Sequence, residues 1–92
     1  MNFEKIKIQV KEAFASVDST EFLQLRIKKA VELHRENFQQ HMMRNPESDF
    51  QQWREKTEAA INKNIGADFL AIGIYLLGLD EFAKIENTIA AK

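Results

Sequence analysis

Between Asp68 and Asp80 the chain runs eleven residues, Phe69 to Leu79, without a charge or a strongly polar side chain. That run falls well short of the roughly 20 residues a membrane-spanning helix needs, and acids bound it on both sides. A helix apolar all the way round has to be covered, so this segment predicts the central element of the fold. The cover comes either from four amphipathic helices of the same chain or, where they leave a face open, from a second copy. Gly73, in the middle of the run, costs about 1 kcal/mol relative to alanine in a helix, which points to a neighbouring helix passing close by.

The remaining segments supply candidates for that cover. Residues 5–11 alternate as in a strand, yet Phe3, Ile6, Val10, Ala13, Phe14 and Val17 recur at helical intervals over a longer stretch. No second strand-like segment is available to pair with them, so a helix is expected, with Ile8 pointing away from its apolar stripe. In "VDSTEF", Asp18 and Glu21 read as an acidic capping box, and Val17 is placed to staple onto Phe22. The helix that follows is expected to reach about Arg44, with Leu23, Ile27, Ala30, Val31, Phe38 and Met42 on one wide face.

Asn45 and Pro46 break it, and either Asn45 or Ser48 can cap a third helix with a stripe of Phe50, Trp53, Thr57, Ala60 and Ile61. Arg54 and Glu58 form an i, i+4 pair on it. Gly66 suits the end of that helix, Asp68 the cap of the next, Gly78 its end, and Asp80 the cap of a last helix carrying Phe82, Ile85 and Ile89. The expected fold is therefore all-α, a single domain over residues 1–92 built as a bundle of four or five helices. Its second helix is long, and its fourth is central and fully apolar.

Composition narrows the function classes. Of 92 residues 45% are hydrophobic, seven are phenylalanine and none is cysteine. The first figure favours a folded chain over disorder. The last removes disulfides, thiolate metal sites and cysteine nucleophiles, and fits a cytoplasmic protein, as does an N-terminal stretch without an apolar signal core. Residues 1–45 carry eight basic and six acidic side chains and residues 46–92 carry five and eight, a mild asymmetry without a concentrated basic stripe.

No catalytic motif is present: no phosphate loop, no nucleophile with a base, no metal-binding spacing. His34 and His41 lie seven residues apart on the apolar side of the long helix, a rise of about 10 Å that prevents them from sharing one ion. The sequence from Glu58 to Gly78 has the spacing of a helix-turn-helix, but its second helix offers aliphatic and aromatic groups where base edges require polar ones. Neither a metal nor another cofactor is expected.

Three functions remain. The first is a non-enzymatic protein–protein interaction module of accessory, adaptor or inhibitor type. It would self-associate as a homodimer through Ile8, Leu25, His34, His41 and Met43, residues on unexpected sides of their helices or, for the histidines, of unexpected type. The second is a nucleic-acid-binding dimer using Arg26, Lys28, Lys29 and Arg35, a face that also reads as solvated because Glu32 and Glu36 lie among these cations. The third is a small helical enzyme whose site is shared between subunits, with Glu55, Glu58 or Glu86 as its acids.

Overall fold

The computed structural model describes residues 3–63 and 68–90, with the backbone alone at 17, 69 and 87–90. They form four helices: α1 (Phe3–Ala13), α2 (Val17–Arg44), α3 (Phe50–Lys63) and α4 (Phe69–Ala90). The fold is an all-α bundle in which α4 is central and α2 is its main partner.

The helical period wins over the alternating one in α1. Ile6 and Val10 are buried while Ile8, between them, is 55% exposed. The helix stops at Ala13, earlier than the apolar pattern suggests, and the Phe14 amide closes its last turn onto Val10. At the start of α2 the cap is Ser16 and not Asp18. The Ser16 Oγ accepts from the Ser19 amide, and the Thr20 hydroxyl donates to the carbonyls of Phe14 and Ser16. Ser16 has the extended backbone a capping residue needs, whereas Asp18 already lies within the first helical turn. The staple of Val17 onto Phe22 falls outside the described residues, as do the contacts of Ile89 and the helix end at Gly66.

The cap of α3 is likewise shifted, to Asp49, whose Oδ1 accepts from the Gln52 amide at 2.9 Å. Ser48 instead serves His41, its Oγ lying 2.8 Å from Nε2. Asp68 caps α4 as expected, accepting from the Leu70 and Ala71 amides at 3.1 and 3.3 Å.

The largest correction concerns α4, which continues through Gly78 and Asp80 as one helix of 22 residues. Gly78 does not end it because its missing side chain makes room for α2. A Cβ there would come within 2.5 Å of the Ala30 Cβ. Gly73 plays the same part toward α1, where a Cβ would collide with Val10, so the close approach expected at this glycine is present. Asp80 does not cap because its carboxylate reaches outward, accepting from Lys7 of α1 at 2.6 Å and Arg54 of α3 at 3.3 Å. One acid thus ties three helices together.

Helices α2 and α4 run antiparallel, with Ala30 against Gly78 and His34 against Tyr75. Two apolar clusters result. One gathers Val10, Leu23, Ile27, Ile74 and Leu77, the other Trp53, Ile61, Leu76, Leu79 and Phe82, and both share Val31 and Tyr75 at their edges. The principal extents are 43 × 31 × 18 Å. With helices about 10 Å across, the shortest extent holds two layers, too few to enclose α4 on every side.

Candidate functional site

Helix α3 meets α4 in the opposite chain sense through side chains, with Ile61 buried in the same apolar cluster as Leu76 toward its C-terminal end and an aromatic contact at the other. There Phe50, Trp53 and Phe82, joined by Phe38 of α2, form a cluster of aromatic rings with centroids 5.3 to 5.9 Å apart, mostly edge to face. Arg54 lies one residue on, bonded to both Glu58 and Asp80. Toward the C-terminal end of α3 the side chains shrink to Thr57 and Ala60, opposite Ala71 on α4. These small side chains leave a wedge-shaped pocket between the helices, which the buried Trp53 and Ile61 also line. It has a volume of about 560 Å³, with Ile72 and Tyr75 on its α4 side and Asn37 and His41 on its α2 side. Among the described residues Lys56 is its one lysine or arginine and no acid lines it.

His34 lies behind this wedge, 0% exposed. Its Nε2 is 2.9 Å from the Tyr75 carbonyl, which can only accept, so Nε2 carries the proton. Nδ1 is then a bare acceptor, buried without a hydrogen-bond partner. The Tyr75 ring packs 4.0 Å away and Trp53 stands edge-on at 6.0 Å. Burial holds the His34 pKa below its ordinary value of 6.5, only partly offset by the Tyr75 carbonyl.

The candidate interface residues of the sequence do not form one surface. His34 has no exposed area, which removes it from any interface in this conformation; a histidine can occupy an apolar face when a helix carbonyl takes its N–H. His41 is half-buried at the wedge's edge. Leu25 and Met43 are 65% and 81% exposed and, being about five helical turns apart, share one line along the back of α2. Ile8 is exposed on a different helix. Phe22, Leu33, Leu70 and Ile85 are also exposed, although Ile85 was expected on the apolar face of the last helix and Phe22 in the staple at the start of α2.

The candidate nucleic-acid residues are all exposed but scattered. Arg26 and Arg35 point to opposite sides of α2, about 180° apart, while Lys28 sides with Arg35 and Lys29 with Arg26. Arg26 is also occupied in part, its guanidinium lying 5.7 Å above the Phe22 ring. Of the three acids considered for catalysis, Glu86 lies apart on α4, and the other two are engaged along α3 itself. Glu58 bonds Arg54, and Glu55 accepts from the Gln51 side-chain Nε2. Among the described residues no group of three His, Cys, Asp or Glu side chains converges, and no helix is long and apolar enough to cross a membrane.

No protein-family model, no curated protein and no solved structure matches the chain.

The wedge itself was legible only in hindsight. Thr57 and Ala60 stand in an apolar stripe opposite Ala71, and three small side chains facing one another leave space that large ones would fill. The pattern places them on the core side of their helices without saying that the helices diverge there.

Proposed function

We propose that the protein is a non-enzymatic protein–protein interaction module that works as a homodimer and acts by occupying or bridging another protein. The observation that carries this reading is surplus surface. The chain exposes 6478 Å². A compact monomer of 10.7 kDa exposes about 5,500 Å². Part of the exposed surface is apolar: among the described residues Ile8, Phe22, Leu25, Leu33, Met43 and Leu70 are more than 40% exposed. The radius of gyration points the same way, at 13.8 Å against about 12 Å for a compact domain of this length. A chain near the lower size limit for independent stability gains by covering such surface. A cytoplasmic setting goes with this reading, since the chain has no cysteine to exploit an oxidising compartment.

Light scattering coupled to size exclusion tests the proposal, with absorbance recorded at 260 and 280 nm across a concentration series. The expected result is twice the 10.7 kDa chain mass and a spectrum free of nucleic acid. A particle of single-chain mass at every concentration overturns the homodimer. Co-purifying nucleic acid that is released steeply by salt would instead support the nucleic-acid alternative.

A further inference from the structure

We propose that α3 is a flap, hinged on residues 45–49, that swings off the α2–α4 core in acid, with His34 as the proton acceptor that drives it. The inference is independent of self-association, since it concerns the order in which a single chain opens.

The helices are not held alike. Gly78 seats α4 against Ala30 of α2, and Gly73 seats it against Val10 of α1, so both of these crossings bring backbones close. Helix α3 is held by side chains instead. Trp53 and Ile61 join the cluster of Leu76, Leu79 and Phe82, Phe50 packs on Phe38 and Phe82, and Arg54 pairs with Asp80. That pair resists a swing only weakly, because Arg54 keeps Glu58 and Asp80 keeps Lys7 when the two part. The bond between His41 Nε2 and Ser48 Oγ lies at the hinge, ahead of the first residue of α3, and need not break.

His34 supplies the driving force. Trp53 of α3 stands edge-on to its ring, and the Tyr75 carbonyl of α4 takes its N–H. A proton taken up in acid goes to Nδ1, which is buried without a hydrogen-bond partner. Nothing around it steadies the resulting charge. The group facing it from α3 is the uncharged Trp53, and those from α4 are the Tyr75 carbonyl and a phenol already engaged by Asn37. Its protonation responds to burial and to that carbonyl, not to any carboxylate, and Asp80 and Glu58 are occupied by Lys7 and Arg54. An imidazolium in this place has to reach water. Moving α4 would forfeit the Tyr75 bond and both glycine crossings, whereas moving α3 forfeits side-chain contacts alone. The smaller loss is the withdrawal of α3.

Native-state amide exchange is the test, read by mass spectrometry between about pH 8 and pH 5 and corrected for the intrinsic rate at each pH. Amides of residues 54–59 in α3 should be less protected than those of residues 74–79 in α4, because α3 opens first. Their protection should also fall about tenfold for each pH unit below 6.5, as far as the folded pKa, since each opening then takes up one proton. His34→Gln, which keeps a donor for the Tyr75 carbonyl, and His34→Phe, which keeps a ring, should both remove this slope, and His41→Gln should leave it. Equal protection in the two helices would show that α3 does not open by itself. Protection of α3 that is independent of pH would show that its opening leaves His34 covered. Either result overturns the inference, as does a slope that survives in the His34 variants.

Discussion

The two ends of the α3–α4 pair are built from the same kind of sequence, an apolar stripe on each helix, yet one end is closed and the other open. At the closed end Phe50, Trp53 and Phe82 reach across, Phe38 joins them from α2, and Asp80 adds bonds to Lys7 and Arg54. Toward the C-terminal end of α3 Ile61 is buried, but Thr57, Ala60 and Ala71 line a pocket of about 560 Å³. Apolar character alone therefore does not close an interface; side-chain reach does. The closed end holds the fold, and the other leaves a pocket between the helices.

The largest expected effect lies at the closed end. Phe82→Ala removes a ring with no exposed surface from the centre of the aromatic cluster and should cost about 3 to 5 kcal/mol in urea unfolding. Ile72→Ala at the open end removes a half-buried side chain and should cost only about 1 kcal/mol. Equal losses would mean that the two ends do not differ in the way described.

His34, between the two ends, comes next. Its folded pKa is lowered by burial, so below about pH 6.5 the unfolded chain takes up a proton that the folded chain refuses. Stability is complete above pH 6.5 and should decline as pH falls from there toward the folded pKa. His34→Leu, which removes both the titration and the unpartnered Nδ1, should flatten that part of the profile. An unchanged profile would show that His34 does not set it.

The Asp80 clamp should matter less. Its carboxylate is 35% exposed, so Asp80→Asn should cost about 1 kcal/mol, and less in high salt. Burial pulls the Lys7 pKa down, but the hydrogen bonds and charges of Asp80 and Glu4 outweigh this and raise it above 10.5. With a raised folded pKa, the contribution of Lys7 is present below pH 10.5 and is lost as pH climbs through the folded value. Asp80→Asn should reduce that alkaline loss. The smallest effect is expected on the back of α2, where Met43→Lys should change stability by no more than about 0.5 kcal/mol, since the side chain is 81% exposed.

What the sequence determined by itself was local and periodic. The 3.6-residue recurrence of apolar side chains set the helical class, and it overrode a short alternating stretch in α1 because nothing else could pair as a strand. Asp68 marked the start of α4, Pro46 lay in the break after α2, and Gly73 marked a close helix crossing. Each of these depends on a few neighbouring residues and on backbone preferences that tertiary contacts did not override here.

Tertiary structure decided the rest, for one recurring reason: the same residue can satisfy a local or a distant partner. Gly78 could have ended a helix, but the approach of Ala30 used its missing side chain inside one. Asp80 could have capped, but α4 continues through it and its carboxylate pairs with Lys7 and Arg54 instead. His34 could have faced a partner chain, but the Tyr75 carbonyl took its N–H and kept it within the core. The divergence of α3 from α4 depends on how far side chains from three helices reach toward one another, a distance that no single stretch of sequence contains.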